Sequence, residues 1–383
     1  MTSLTNPDPN GTFVGRIWRK AAGPSLVTLR GDTVVDITCA EVPTMRDLLE
    51  RDDAVEWVRG AKGKAIGTLD EFNAASTPDA GDEDMRLLAP CDLQAVKACG
   101  VTFAESMVER VIEEQAAGDA ERAEEIRARV AARIGDSLNG IEPGSEQAMQ
   151  VKSVLQAEGL WSQYLEVGIG PDAEVFTKGQ PLSSVGCGAA VGLHPVSKWN
   201  NPEPEIVIAV NSRRQIKGAT LGNDVNLRDV EGRSALLLGK AKDNNASCAI
   251  GPFLRLFDDT YGMADVERAE LTLKVTGEDG FVLDGHSSMT KISRKPADLA
   301  AQTCGPHHQY PDGFFLFLGT LFAPIQDRDT KGQGFTHKIG DVVTISEPKL
   351  GTLTNTVRLS TECPPWTFGT SALMRNLAAR GLI

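Results

Sequence analysis

The pattern of apolar and polar positions predicts strands near the N-terminus, helices after them and more strands towards the C-terminus. Three short β-prone stretches, separated by Gly and Pro, predict strands at Thr12 to Ile17, Leu26 to Leu29 and Val34 to Ile37. The stretch from Thr44 to Ala54 predicts a short helix. A segment of small, acidic and Pro residues, Ala75 to Asp84, has no hydrophobic period and is typical of a linker. We therefore predict a small β-rich domain over residues 1–89 and a larger domain over 90–383.

Two helical patterns adjoin between Ala104 and Gly135. The apolar positions of each pattern recur at helical spacing: Met107, Val108, Val111 and Ile112 in the first, and Ile126, Val130 and Ile134 in the second. The opposite faces are rich in Glu and Arg, which is typical of a solvated helix surface with pairs of opposite charge. We therefore expect function elsewhere, except at the first turn of the first helix.

Beyond residue 160, short strands with frequent turns predominate. The predicted strands are Ala173 to Lys178, Glu205 to Val210, Ala269 to Val275, Gly313 to Gly319, Asp341 to Ile345 and Thr352 to Val357. The larger domain is therefore expected to be dominated by sheet. With the helices that precede these strands, the chain is predicted to be of the α+β class.

Charge and composition narrow the classes of partner. The 383 residues carry a formal net charge of −13, which repels a phosphate backbone and an anionic membrane surface. The longest apolar run, Phe314 to Pro324, is interrupted by Gly319 and Thr320 and is shorter than the roughly 18 residues that span a bilayer. The N-terminus lacks the pattern of a secretory signal, and the 7 cysteines include no CxxC pair. These features predict a cytoplasmic protein with reduced thiols, no nucleic-acid partner and no membrane partner.

The strongest chemical signal is a set of three carboxylates. Glu203 and Glu205 are two residues apart where a strand begins, so both side chains point to one face. A solvated edge strand would explain that pair alone, because exposed Glu is common. Asp224, however, follows a strand-like stretch in an Asn-Asp pair that suggests a turn, and it could join the two glutamates. An all-oxygen set of this kind favours a hard cation, Mg²⁺ first and Mn²⁺ or Ca²⁺ next, with positions left for a bidentate substrate.

These residues resemble the metal signature of the fumarylacetoacetate hydrolase superfamily, a Glu-x-Glu on one strand followed further along the chain by Asn-Asp. Other matches occur in the family's order between residues 87 and 357: Leu87 to Pro90, Gly100 to Glu109, Glu174 to Lys178, Lys242, Cys248 to Pro252, Gly319-Thr320, Gly340 to Val343 and Gly351 to Leu353. The run from Asn223 to Arg233 resembles the branch that dehydrates 2-keto-3-deoxy sugar acids, particularly 2-keto-3-deoxy-D-xylonate.

The resemblance implies a mixed β-roll in the larger, catalytic domain, a homodimer, and a Mg²⁺ ion held by Glu203, Glu205 and Asp224. It also implies dehydration of a small 2-keto acid, in which the C3 proton is removed and the C4 hydroxyl departs to give 2-oxoglutarate semialdehyde. The candidate catalytic residues are Lys242, Glu174, Glu109 and Ser106, and the candidate substrate-binding residues are Lys178, Arg228, Thr320 and His308. Lys242 would stabilise the enolate or take the C3 proton, and Glu109 or Glu174 would hold a water that acts as the acid.

Ser106 separates this chain from the hydrolytic members, which carry a His at the matching position of a His-x-x-Glu pair. A hydroxyl with no neighbouring base does not deprotonate water near neutral pH, whereas an imidazole does. An acylpyruvate or fumarylacetoacetate-type hydrolase and a decarboxylase remain alternatives on the same scaffold. A metal-stabilised binding module without turnover is a further alternative. Without the resemblance, residue type alone favours surface positions for Lys178 and Lys242, because lysines are rarely buried, and a turn or core position for each histidine.

Overall fold

The computed structural model describes residues 7–117, 119, 122–123, 126, 141–157, 161–322, 326–329 and 334–383. Within helices, the side chains of residues 104–106, 108 and 113 lie outside this description. Sixteen described strands form two sheets, one of 11 strands and one of 5.

The strands of the larger sheet are β1 Phe13–Arg19, β2 Gly23–Arg30, β3 Thr33–Asp36, β4 Lys64–Thr68, β5 Arg86–Leu88, β6 Ala95–Gly100, β7 Glu174–Gly179, β9 Pro204–Val210, β10 Ile216–Asp224, β11 Cys248–Leu256 and β14 Phe314–Phe317. They lie side by side in the order β4-β3-β2-β1-β11-β10-β9-β14-β6-β7, and β5 pairs with β1. The smaller sheet has the order β13-β12-β15-β16-β8. Its strands are β8 Ala190–Leu193, β12 Glu270–Thr276, β13 Val282–Ser288, β15 Val342–Glu347 and β16 Gly351–Leu359.

The described helices lie between these strands and at the C-terminus. They are α1 Met45–Leu49, α2 Ala54–Gly60, α3 Leu69–Ala75, α4 Ala104–Ala116, α5 Glu146–Ala157, α6 Gln163–Ile169, α7 Arg228–Glu231, α8 Leu238–Lys242, α9 Met263–Val266, α10 Pro296–Thr303 and α11 Thr370–Ala379. Short 3-10 turns occur at Ala235–Leu237 and Met289–Lys291. None of the described helices combines the length and the apolar character that a bilayer crossing requires.

Strand β9 is buried on both faces, and this burial shapes the core. Ile206 and Ile208 belong to an apolar cluster that also contains Leu273 and Ile345 of the smaller sheet, so the two sheets pack face to face. The alternate residues of β9 face a second cluster, which includes side chains of α1 and α2. A third cluster joins α4, α5 and α6. Trp199, which precedes β9 in the chain, also belongs to this third cluster.

The N-terminal segment shares the larger sheet with the rest of the chain. Strand β1 pairs with β11, with Phe13 opposite Arg255, and β5 pairs with β1. The C-terminal helix α11 returns to this segment, because Asn376 Nδ2 donates a hydrogen bond to the Ala22 carbonyl at 3.0 Å. A division into domains of residues 1–89 and 90–383 stays a prediction, and one continuous sheet crosses that boundary.

Several elements differ from the sequence-based prediction. The helix expected from Thr44 to Ala54 is wrong as one element, because α1 ends at Leu49 and α2 begins at Ala54. Tertiary hydrogen bonds explain this end: Asn211 Nδ2 donates to the Leu49 carbonyl at 3.2 Å, and the Ser212 amide donates to the Glu50 carboxylate at 2.7 Å. The sequence analysis does not predict six of the described strands: β4, β5, β6, β8, β11 and β13. The predicted second helix of the Ala104 to Gly135 region falls mostly outside the described residues.

Candidate metal centre

Three buried carboxylates converge where β9 and β10 lie side by side. Each of Glu203, Glu205 and Asp224 offers an oxygen within 4.8 Å of those of the other two. Strand register produces this arrangement, because Glu205 pairs with Gly222 and the Asp224 amide donates to the Glu203 carbonyl at 3.0 Å. The three residues are at most 4% exposed. Three close acids in a buried position require positive charge to stay ionised.

Two buried lysines supply part of that charge. Lys242 Nζ lies 2.7 Å from Glu203 Oε2 and 3.1 Å from Asp224 Oδ2. Lys178 Nζ lies 2.8 Å from Asp224 Oδ1 and donates to the Lys242 carbonyl at 2.7 Å. Burial opposes the charge on Lys242, but Asp224 and Glu203 raise its pKa above the ordinary lysine value. Burial likewise opposes ionisation of Asp224, yet the two lysines hold the pKa of that carboxyl below its usual value.

An arginine of α4 supplies a third cation. Arg110 Nη2 contacts Glu203 Oε1 at 2.6 Å, and Arg110 Nη1 contacts Glu231 Oε2 at 2.8 Å. Arg110 and Lys242 thereby contact different oxygens of the Glu203 carboxylate. Burial raises the pKa of Glu203, and Lys242 and Arg110 counteract this effect.

Glu205 is the carboxylate of the triad that forms no ion pair with a described lysine or arginine, although the charge of Lys242 acts on it. The Gly319 amide donates to Glu205 Oε2 at 2.6 Å, and the described lysines and arginines around the cluster pair with its neighbours instead. Burial, Asp224 and Glu203 raise the pKa of Glu205 well above its usual value. A buried carboxylate beside two others, without a cationic partner, fits a divalent cation with oxygen ligands. Glu203, Glu205 and Asp224 are the residues that would hold it.

Glu174 adds a carboxyl that carries a proton near neutral pH. It begins β7 opposite Gly100 of β6, and a Cβ at Gly100 would collide with the Glu174 carboxylate. Burial and repulsion from Glu231 raise the pKa of Glu174 to about 7, although Arg110 and Lys242 oppose the shift. A group with this pKa both accepts and releases a proton at neutral pH.

Glu109 and Arg228 form a second polar pair beside the cluster. Arg228 Nη2 lies 3.4 Å from Glu109 Oε2, and the Arg228 guanidinium lies 4.1 Å from the centre of the Trp199 ring. Arg228 is 3% exposed. The structure therefore places both predicted residues together, on the side of the centre where α4 meets α7.

The other predicted site residues differ in position. Thr320 is buried and follows Gly319, so it lies next to the backbone amide that binds Glu205. His308 is exposed and precedes β14, whose Phe314 end pairs with Val210 at the far end of β9 from Glu205. The structure thus does not bring His308 to the carboxylates. Ser106 lies in the first turns of α4, and its side chain is outside the described part of the chain.

Sequence reasoning missed Arg110 and Glu231. The charges of the α4 segment were attributed to a solvated face, and Glu231 lay in a stretch used only for the family resemblance. One signal for Arg110 was its position four residues after Ser106, on the same helix face as the predicted active-site residue. No local signal marked Glu231.

Comparison with known proteins agrees with the geometry. Residues 171–358 match the family model described as fumarylacetoacetate (FAA) hydrolase C-terminal. A 2-dehydro-3-deoxy-D-arabinonate dehydratase of Saccharolobus solfataricus is 30% identical over 185 residues, which are 48% of this chain and 58% of that protein. A probable 2-keto-3-deoxyxylonate dehydratase of Haloferax volcanii is 30% identical over 213 residues, which are 56% of this chain and 68% of that protein. The chain thus matches only 58% of the length of the first of these relatives.

Solved structures extend the likeness in fold. A 2-keto-3-deoxy-D-arabinonate dehydratase in its apo form has a TM-score of 0.64 at 21% identity, covering 91% of this chain and 99% of its own. The same enzyme with magnesium and 2,5-dioxopentanoate has a TM-score of 0.62, with the same identity and coverage. These matches confirm the predicted α+β fold. Together, the family match, the aligned relatives and the shared fold show that the chain belongs to the fumarylacetoacetate hydrolase family.

Proposed function

We propose that this protein is a magnesium-dependent dehydratase that converts 2-keto-3-deoxy-D-xylonate to 2-oxoglutarate semialdehyde. The observation that carries the proposal is the buried triad Glu203, Glu205 and Asp224 with Glu174, a carboxyl of pKa about 7, within electrostatic reach. The names of the two aligned relatives support the substrate class. The solved relative that holds magnesium and 2,5-dioxopentanoate, a synonym of the proposed product, supports both cation and product.

The reaction removes one water from the substrate. The C3 proton and the C4 hydroxyl leave, and the unsaturated keto acid tautomerises to the C5 aldehyde. When bound, the divalent cation supplies Lewis-acid stabilisation of the 2-keto acid. The side chains of this protein supply orientation and proton transfer.

Glu174 is the proposed proton carrier. With its pKa near 7, it accepts a proton and returns it within one catalytic cycle at neutral pH. Lys242 remains protonated beside Glu203 and Asp224, so its proposed role is to stabilise developing negative charge with its ammonium group. Its alternative role as the base would require a lower pKa than these contacts give.

The remaining residues orient the site. Arg228 and Glu109, paired 3.4 Å apart, are proposed to face the distal hydroxyls of the substrate, and Thr320 its carboxylate. Lys178 is fully buried, and its ammonium contacts Asp224 and two backbone carbonyls. We therefore propose that Lys178 orients Asp224. A direct contact between Lys178 and the substrate would break one of the three contacts that its ammonium group makes.

A product assay tests the proposal. The protein is incubated with 2-keto-3-deoxy-D-xylonate and Mg²⁺, and the expected product has lost the mass of one water. EDTA and the substitution Glu205→Gln should each abolish turnover, while circular dichroism of the variant stays that of the wild type. Cleavage of an acylpyruvate instead would favour the hydrolase alternative, loss of carbon dioxide the decarboxylase, and metal binding without turnover a binding module.

Compartment and assembly complete the proposal. All 7 cysteines are free thiols, and 6 of them are buried, which supports a reducing compartment such as the cytoplasm. A homodimer is proposed from the family resemblance. Size-exclusion chromatography with light scattering at several protein concentrations would test it.

A further inference from the structure

Arg110 connects a metal-ligand candidate to an acid that lies outside the triad. Its guanidinium lies 2.6 Å from Glu203 and 2.8 Å from Glu231. The side chain of Arg110 is 13% exposed, and those of the two glutamates are 6% exposed. Charged contacts this far from solvent are weakly screened, so they act strongly on one another.

The backbone around Arg110 is held firmly from the other side. Met107, Val111 and Ile112 of α4 are buried in one cluster with Leu165 of α6. The helices approach closely, because a Cβ at Gly168 would come within 2.6 Å of the Met107 sulfur. This packing fixes the helix axis, and Arg110 extends from it towards the metal centre.

Glu231 is fixed from a different part of the chain. It ends α7, and its amide donates to the Leu227 carbonyl at 2.9 Å. It is not one of the three clustered ligand candidates. Its described contact with Arg110 lets it share the guanidinium with Glu203.

We propose that Glu231, Arg110 and Glu203 form a row of alternating charges, a charge relay, in which each charge changes the effect of the next. This relay sets the affinity of the centre for its divalent cation. Arg110 is a positioning residue that partly neutralises Glu203, and Glu231 limits that neutralisation by sharing Arg110. The inference rests on the proposed function, because it requires a divalent cation at the three carboxylates.

The relay predicts effects of opposite sign. A carboxylate shared by a guanidinium and a metal ion puts the two positive charges about 6 Å apart, and even at a water-like dielectric their repulsion corresponds to about tenfold in affinity. Removing the charge of Arg110 should therefore tighten cation binding about tenfold. Removing the charge of Glu231 should weaken it about tenfold, because Arg110 then neutralises Glu203 to a greater extent.

Isothermal titration of Mg²⁺ into the 383-residue protein, after EDTA treatment and dialysis, tests these signs. Arg110→Gln should lower the dissociation constant and Glu231→Gln should raise it. Arg110→Lys keeps the charge and should restore affinity towards the wild-type value. The control Lys152→Gln removes a cation that pairs with Glu166 on the helices next to α4, and it should leave affinity unchanged.

Other outcomes would overturn the relay. If both variants weaken binding, the residues act only as structural supports, and if neither changes it, the charges are not coupled. Should one single variant fold poorly, the double variant Arg110→Gln/Glu231→Gln tests the relay, because Glu231 acts on the centre only through Arg110. The relay requires the double variant to bind Mg²⁺ about tenfold more tightly than the wild type, as Arg110→Gln does, and a wild-type affinity would show that the two charges act independently. Failure of the proposed function is distinguishable, because the wild type would then bind no Mg²⁺ or Glu205→Gln would bind it equally well.

Discussion

Replacing Glu174 with glutamine removes a carboxyl group from a place that disfavours its charge. The group packs over Gly100, and Glu231 and Glu203 repel its ionised form. Its pKa is therefore about 7 in the folded protein, against 4.5 for an ordinary glutamate. Glutamine has nearly the same shape and is neutral, so it reproduces the protonated form at every pH.

The pKa difference gives a stability effect with a definite sign. Between pH 4.5 and about 7 the folded state retains a proton that the unfolded chain has released, so stability falls as pH rises through this interval. Each pH unit costs the folded state about 1.4 kcal/mol, and the whole interval about 3 kcal/mol. Partial exposure of Glu174 reduces this to about 2–3 kcal/mol. We expect Glu174→Gln to match the wild type at about pH 4 and to be more stable by that amount at about pH 8.

Chemical denaturation in EDTA at several pH values measures the difference between the two proteins. Subtracting the wild type from the variant cancels the contributions of other titrating groups. Glu166→Gln is the matched control, because the Lys152 hydrogen bond lowers the pKa of Glu166 and its removal should cost stability above the ordinary glutamate pKa. If the free energy of unfolding of Glu174→Gln differs from that of the wild type by the same amount at both ends of the pH range, the reasoning is refuted. Turnover of this variant should fall about 10² to 10⁴-fold, because an amide neither accepts nor releases a proton at neutral pH and so cannot act as general acid or base.

Three further predictions concern the residues around the triad. Lys242→Met should reduce turnover about 10² to 10³-fold and slow deuterium exchange at substrate C3, and undiminished exchange would remove Lys242 from the enolate step. Lys178→Met should remove one of the two buried ammonium groups that contact Asp224 and lower the free energy of unfolding by about 3 kcal/mol or more in EDTA. Adding Mg²⁺ should recover part of this free energy. Ser106→His should lower dehydratase activity without creating an efficient hydrolase, and strong acylpyruvate cleavage by the variant would contradict this.

The sequence allowed the carboxylates to be predicted because their signal is local. Glu203 and Glu205 lie two apart, and the Asn223-Asp224 pair follows a strand-like stretch, so spacing and residue type were enough to propose the site. The turn suggested for this pair is wrong, because Asn223 and Asp224 are the last two residues of β10 and pair with β11. The strand register that joins them was not predictable from either segment alone. It depends on Gly222, which pairs with Glu205 and leaves room for Phe317 and Val207.

The contact between Arg110 and the carboxylates could not be predicted from the sequence. Arg110 is 93 residues from Glu203 and 121 from Glu231 along the chain. A helix with alternating Glu and Arg usually faces solvent, and only tertiary packing turns one of those arginines inward. His308 illustrates the reverse case. Its closeness in sequence to Gly319-Thr320 suggested the pocket, whereas β14 separates the two segments and His308 precedes the end of that strand that pairs with Val210.

The two lysines give the centre an order that depends on the backbone as well as on charge. Lys178 and Lys242 bind different oxygens of Asp224, and Lys178 also donates to the Lys242 carbonyl. Ser247 Oγ donates to the same carbonyl at 2.8 Å. These two hydrogen bonds fix the backbone at Lys242 independently of the contacts that its side chain makes. Asp224 is oriented by two lysines from separate segments of the chain. Asp224 and Glu203, whose charges are balanced by these lysines and by Arg110, need little rearrangement to ligate a cation. Glu205 has no such ion pair, so it is the carboxylate whose charge a bound cation would stabilise most.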